Sequence, residues 1–217
     1  MLGGVIFDFD GVIVDSHPTH IQSWKTFLYS KGKAVSEAEL AFVREGAKRG
    51  EILRHFLGEL TPEQVVSYGA EKDKLFQARA IELKLVRGFA EFLYQLDAIG
   101  LPSAVASSGS RARVERTLET FSLRNRFGAV VTGNDVPRGK PDPDLFLLAA
   151  QTLQIEPSHI LVCEDAVAGV LAAKRAGMQC VGIAANGRES MLEQAGADMV
   201  VNDFSHTSLA DVTRLFA

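Results

Sequence analysis

Asp8 and Asp10 stand two residues apart in GVIFDFDGVIVDS (4–16), a run otherwise dominated by valine, isoleucine, phenylalanine and glycine. A buried carboxylate is costly unless something compensates its charge. Three further polar stretches interrupt apolar runs downstream: Ser107, Ser108 and Gly109; then Gly139, Lys140, Pro141 and Asp142; then Glu164 and Asp165 followed by AVAG. Gathered at one point, the four stretches would bring together carboxylates, hydroxyls and one lysine. Carboxylates crowded into a single crevice repel one another and raise each other's pKa unless they share a cation. A hard divalent ion that prefers oxygen ligands, most simply Mg²⁺, resolves the conflict.

The elements that must position these groups are short strands. Apolar runs of strand length recur at GVIF (4–7), PSAVA (102–106), AVV (129–131), ILVC (160–163), CVGI (180–183) and MVV (199–201), and helical spacing lies between the later ones at 113–121, 143–154 and 166–176. Strands apolar on both sides and alternating with helices predict an α/β fold, a parallel sheet with helices on both faces. Ligands bind such sheets at the carboxyl ends of the strands, which is where all four polar stretches fall. The alternation fails between about residues 16 and 86. No convincing strand occurs there, but helical patterns do, at Ile21, Trp24, Phe27 and Leu28, at Ile52, Leu53, Phe56 and Leu57, and at Leu75, Phe76 and Ala80. Turn signals at HP (17–18) and RG (87–88) bound the stretch. The expectation is an all-helical cap over 16–86, inserted into a core made of 1–15 and 87–217.

With 217 residues, 47% hydrophobic and 23% charged, the chain can bury a full core and a second small domain. A net charge of −4 and 23 scattered basic residues leave no electrostatic footprint for nucleic acid or an anionic membrane, so a small molecule is the expected partner. The first residues carry no basic leader, and Asp8 and Asp10 break their apolar run, which fits neither a signal peptide nor a membrane span and predicts a cytoplasmic protein. Cys163 and Cys180, in apolar surroundings, suit core thiols better than a metal pair or a disulfide.

In their order, the four motifs resemble the haloacid dehalogenase (HAD) superfamily, specifically the phosphotransferases with a helical cap inserted after the first motif. The likeness covers nearly the whole chain through DFDGVIVDS, VASSGS, RGKPDPDLF and CEDAVAG. A lone DxD is a weak signal, whereas four ordered motifs on the right elements are a strong one. The resemblance implies a Rossmann-like core and an Mg²⁺-dependent enzyme, often monomeric, that works through an aspartyl phosphate. By the same resemblance Asp8 is the nucleophile, and Asp10 is the acid for the leaving oxygen and then the base for the incoming one. Ser107 and the backbone amide of Ser108 hold phosphate oxygens, while Lys140 neutralises their charge and helps orient Asp8. Asp165 binds Mg²⁺ beside the Asp8 carboxylate and the Asp10 carbonyl, with Glu164 adjacent.

Within the family, dehalogenases lack an acid at the Asp10 position and the phosphonate-cleaving branch usually carries alanine there, so Asp10 favours phosphate esters. His20 and Trp24 in HIQSWK (20–25) resemble a segment shared by β-phosphoglucomutase and several sugar phosphate phosphatases. Arg49 in GAKRGEIL (46–53) falls where the mutase has an arginine that grips the non-reacting phosphate, and Lys72 in KDKLF (72–76) sits in a pattern similar to the mutase's cap lysine. The structural alternatives are a core tryptophan, a satisfied helix histidine and two solvated charges. A departure is that the mutase's polar run Ser-Arg-Glu-Asp-Ser reads KRGEI here, which introduces Gly50. The expected function is a phosphatase of a small phosphorylated metabolite such as a sugar phosphate. The alternative is a mutase that interconverts β-glucose 1-phosphate and glucose 6-phosphate. A receiver-like phosphorylation switch also places acidic residues and a lysine at strand ends, but its acceptor lies on a middle strand without a cap, so the position of Asp8 argues against it. Asp15, Asp135 and Asp142 read as turn or supporting residues.

Overall fold

The computed structural model describes residues 1–44, 48–185 and 187–217. Six parallel strands form the main sheet: β1 (Gly4–Phe7), β4 (Ser103–Ser107), β5 (Ala129–Thr132), β6 (Ile160–Glu164), β7 (Gln179–Ile183) and β8 (Met199–Val201), in the spatial order β5-β4-β1-β6-β7-β8. All six lie within a residue or so of the apolar runs in the sequence. The first strand of the chain is therefore central. Phe7 lies opposite Val105 of β4 on one side and Cys163 of β6 on the other, so the chain leaves β1 between the ends of those two strands.

Two further strands, β2 (Val14–Asp15) and β3 (Lys84–Leu85), form an antiparallel ladder with Val14 opposite Leu85 and Asp15 opposite Lys84. Strand β3 falls in the stretch expected to hold none, because two residues are too few to display a period-two pattern and only the pairing reveals them. Between the two lie α1 (His17–Ser30), α2 (Arg49–Leu57) and α3 (Pro62–Gln77). The HP dipeptide begins α1 rather than marking a turn, since proline in the first helical turn has no needed N–H to lose. Helix α3 starts on a reciprocal cap in which the Thr61 hydroxyl accepts from the Gln64 amide and the Gln64 side chain accepts from the Thr61 amide. Trp24, Phe27, Leu28, Leu40, Ile52 and Leu53 are buried in an apolar cluster of the insertion's own.

The remaining helices, α4 (Phe89–Ala98), α5 (Arg111–Thr120), α6 (Asp144–Leu153), α7 (Val167–Arg175), α8 (Glu189–Gln194) and α9 (Leu209–Thr213), cover the two faces of the sheet. Strand alternation divides β1 between two buried clusters. Val5 and Phe7 pack with Phe89 and Phe92 of α4 and Val114 and Leu118 of α5, whereas Ile6 packs with Phe146 of α6 and Val170 of α7. The Phe7 ring meets Phe89 edge-on at a centroid distance of 5.3 Å and Phe92 at 6.2 Å. This packing on both faces makes β1 a rigid mount for the residue that follows it. Cys163 and Cys180 are buried free thiols whose pKa burial raises, as expected of core residues. No described helix is long and apolar enough to cross a membrane.

Candidate active site

The residue after β1 is Asp8, the last of β4 is Ser107 and the last of β6 is Glu164. Lys140, from the loop before α6, reaches into the gap between these strand ends and donates from Nζ to Asp8 Oδ1 and to Glu164 Oε2 at 2.7 Å. All three are buried, with exposures of 6% for Asp8, 4% for Lys140 and 1% for Glu164. The other Glu164 oxygen, Oε1, accepts from the backbone amides of Asp165 (3.1 Å) and Ala166 (3.0 Å), which ties the carboxylate to the turn that enters α7. Asp165 Oδ2 lies 2.7 Å from His17 Nε2. Burial first, then the Glu164 charge, push the Asp8 carboxyl well above its usual pKa, with Lys140 opposing them. Glu164 is raised by burial against the same ammonium. For Lys140, burial disfavours the charge, but Asp8 and Glu164 outweigh it and raise its pKa.

Ligand atoms of Asp8, Glu164 and Asp165 lie within 4.8 Å of one another. One lysine against three carboxylates leaves surplus negative charge on a set of hard oxygen donors, so the chemistry of the residues fits Mg²⁺.

Asp10 is held separately. Its Oδ1 accepts from Ser16 Oγ at 2.6 Å, His20 Nε2 at 3.1 Å and Arg113 Nη1 at 2.8 Å, and its Oδ2 accepts from Arg113 Nη2 at 2.6 Å. Burial disfavours the Asp10 charge, but the two-pronged Arg113 contact and then His20 overcome it and hold the carboxyl well below its usual pKa. Arg113 is 4% exposed. The sequence placed it in a helical stretch without a role, although a signal was present. Residues 113, 114, 117 and 118 form one buried face of α5, and an arginine in such a slot needs an anionic partner. The guanidinium passes over bare backbone at Gly109, where an added Cβ would lie 2.0 Å from Arg113 Nη2.

The other expected residues surround the same cleft. Ser107 Oγ accepts the Gly109 amide at 3.0 Å, and Ser108, Gly109 and Ser110 line the opening. His20, Trp24, Arg49 and Lys72 line it from the insertion. Lys72 is not a solvated charge. It is 2% exposed and donates to His20 Nδ1 at 2.8 Å, with its Nζ 5.3 Å from the Trp24 ring and 4.9 Å from the Phe76 ring. An ammonium can only donate, so His20 carries its proton on Nε2 and passes a hydrogen bond on to Asp10. Burial and then Lys72 push His20 down to about 3, leaving it neutral, and burial and then Arg113 push Lys72 down to about 7. Trp24 is chiefly a core residue, 2% exposed and edge-on to Phe27. Arg49 donates to Asp73 Oδ2 at 2.7 Å. Gly46 and Ala47 of the GAKRGEIL run lie outside the described residues. Asp135 acts as a turn residue, accepting the Thr132 amide and hydroxyl. The insertion is also tied to the core by Lys48, which donates to the carbonyls of Val136 (2.9 Å) and Pro137 (3.1 Å).

A family model described as haloacid dehalogenase-like hydrolase matches residues 5–183. Validoxylamine A 7'-phosphate phosphatase of Streptomyces hygroscopicus subsp. limoneus is 33% identical over 207 residues, which cover 92% of this chain and 93% of that protein. β-Phosphoglucomutase of Bacillus subtilis is 31% identical over 223 residues, covering 94% of this chain and 91% of that protein. Among solved structures, a HAD hydrolase of Entamoeba histolytica matches with a TM-score of 0.90 at 26% identity, covering 99% of each chain.

Proposed function

The chain belongs to the haloacid dehalogenase-like hydrolases, and from that premise we propose that it is an Mg²⁺-dependent phosphatase of a small phosphorylated metabolite, most simply a sugar phosphate. The observation that carries this reading is the buried Asp8, Lys140 and Glu164 cluster with Asp165 alongside it and Asp10 held apart on its own partners. We assign the core to residues 1–15 and 87–217 and the cap to 16–86, with the cleft between them.

In this mechanism an Asp8 carboxylate oxygen forms a bond to phosphorus as the bond to the ester oxygen breaks, leaving the phosphoryl group on Asp8. Asp10 protonates the departing oxygen. It then takes a proton from the water that attacks the aspartyl phosphate and releases inorganic phosphate. Arg113, Ser16 and His20 hold the Asp10 carboxyl in place as an anion, the form that accepts the proton of the attacking water; that proton returns to solvent, and the proton passed to the leaving oxygen is drawn from solvent through Asp10. Lys140 orients Asp8 and faces the phosphate oxygens, with the Ser107 hydroxyl and Ser108 amide as further donors. Asp8, Asp165 and the Asp10 carbonyl would hold Mg²⁺, with Glu164 adjacent and bracing Lys140. The bound ion would screen the charge of Asp8 from that of the incoming phosphate.

The mutase reading has one specific support, namely that Arg49 and Lys72 of the insertion line the same cleft as the acidic cluster. A single assay separates the two. Incubated with Mg²⁺ and a panel of sugar and polyol monophosphates that includes β-glucose 1-phosphate with a trace of the 1,6-bisphosphate, the enzyme is expected to release inorganic phosphate. Glucose 6-phosphate formed without phosphate release would instead establish the mutase. Chelation is expected to abolish turnover and lower the melting temperature, with Mg²⁺ restoring both, because an ion bound only by the folded state stabilises it. Turnover that survived complete chelation would remove the cation from the mechanism.

Arg113→Met should lower kcat/KM, which reports the steps up to departure of the leaving oxygen, by about 10²-fold on a sugar phosphate, the lower range for losing a positioned acid. The loss should be smaller on 4-nitrophenyl phosphate, whose leaving oxygen needs little protonation. Equal losses on the two esters would show that Arg113 supports the fold rather than the placement of Asp10.

A further inference from the structure

Among the described residues, both guanidinium groups that line the cleft are matched by carboxylates, and the ammonium of Lys72 is buried against the neutral His20. Arg113 is taken by Asp10. Arg49, on α2 of the insertion, is taken by Asp73. One oxygen, Asp73 Oδ2, accepts from both Arg49 Nη1 and Ser110 Oγ, each at 2.7 Å. Ser110 immediately precedes α5 in the core and Asp73 lies on α3, so this carboxylate also fastens the insertion to the strand-end loop. The pairing is built into α3. One helical turn before Asp73 is Gly69, where an added Cβ would lie 2.4 Å from Arg49 Nε and 2.6 Å from its Cζ. The guanidinium thus lies on bare backbone at 69 with its end closed by the carboxylate at 73. Both side chains are only partly exposed, at 27% for Arg49 and 21% for Asp73, so solvent screens the pair in part.

We propose that Asp73 is a specificity-determining residue that makes this enzyme selective for monophosphate esters whose remainder is uncharged and hydroxyl-rich, and against bisphosphates. This rests on the phosphatase reading and names its substrate class. A phosphate at the far end of a bisphosphate would meet the Asp73 carboxylate across a partly desolvated cleft, where like charges are strongly unfavourable. To reach Arg49 it would have to displace Asp73, which would also break the Ser110 contact and strand a carboxylate. A hydroxyl has no such conflict, because it can donate to Asp73 and accept from Arg49 or Lys72. The same selection opposes a mutase cycle, since a bisphosphate intermediate must bind in two orientations.

The test uses matched esters, fructose 1-phosphate and fructose 6-phosphate against fructose 1,6-bisphosphate, and glucose 1-phosphate and glucose 6-phosphate against glucose 1,6-bisphosphate. The wild-type enzyme is expected to favour the better monophosphate over its bisphosphate in kcat/KM by on the order of tenfold or more, the factor corresponding to about 1.4 kcal/mol. Asp73→Asn should close that gap, chiefly by lowering KM for the bisphosphate. Adding Arg49→Gln to Asp73→Asn should cancel the gain, because the freed guanidinium is what the second phosphate would use. Melting curves check that each variant folds, and Asp73→Ser provides the same ratio should the asparagine variant fail to fold. If the wild type hydrolyses a bisphosphate as well as its monophosphate, the selectivity is overturned and the phosphatase reading stands. If folded Asp73 variants keep the wild-type ratio, the assignment to Asp73 is overturned. If no ester on the panel releases phosphate, both readings fall together.

Discussion

Asp8→Asn is expected to reduce phosphate release by on the order of 10⁴-fold or more while leaving the fold intact. The loss is large because the amide oxygen is a poor nucleophile, so no covalent phosphoenzyme can form. The fold should survive for a reason visible in the electrostatics. Burial and the Glu164 charge already push the Asp8 carboxyl towards its neutral form, and asparagine keeps an oxygen that can accept from Lys140. Intact-mass measurement after quenching should find one added phosphoryl group on the wild type and none on the variant, with the two melting temperatures close together. A folded Asp8→Asn variant that retained its rate would sink the assignment of the nucleophile.

Lys140→Met should show the opposite balance, losing both activity and stability. The substitution removes the ammonium that donates to Asp8 and Glu164 and leaves two carboxyls buried without it. Removing one partner of a buried ion pair costs about 3–5 kcal/mol. The pH dependence has a definite sign. Both carboxyls already have folded-state pKa values raised above their ordinary 3.8 and 4.5, burial being the largest cause, and loss of the opposing lysine raises them further. A group whose folded pKa is raised contributes its stability below the unfolded value and loses it as pH rises through the folded value. The deficit of Lys140→Met should therefore be small in acid and grow towards neutral pH. Lys140 itself, raised above 10.5, contributes stability present below that value and lost at stronger alkalinity. Melting of chelator-treated wild type and variant between about pH 5 and about pH 8 measures the difference. A deficit that did not change with pH would mean that the loss comes from packing rather than from the two stranded carboxyls.

Much of the architecture was legible because a parallel strand buried on both faces declares itself locally. GVIF, ILVC and CVGI are apolar throughout, and each became a strand of the main sheet. The polar groups that follow them were legible as strand-end residues for the same reason. The two-residue ladder of β2 and β3 was not, since nothing within either pair of residues distinguishes strand from loop. Of the four insertion residues suggested by resemblance, all line the cleft, but Lys72 is buried against His20 and Trp24 is mostly core. Arg113, Asp73 and His17 had no place in the sequence reading of the site. Arg113 lies 103 positions from Asp10 and His17 lies 148 from Asp165, while Asp73 meets Arg49, 24 positions away, only because α2 and α3 pack together.

The sequence by itself determined which chemical groups stand at strand ends, that a helical segment interrupts the alternation after the first strand, and, through four ordered motifs, the superfamily. Those properties are local, set by side-chain periodicity and by residue type at each strand terminus. The resemblance anticipated Lys140 beside Asp8, but only the tertiary structure decided that Asp10 meets Arg113 and that Asp73 meets Arg49. An ion pair depends on separation and burial, and both are set by the order in which parallel strands assemble and by the way the insertion folds back over them. GVIFDFDGVIVDS carries both aspartates two residues apart, and the fold gives each a different counter-charge and a different burial, which shift their pKa values in opposite directions.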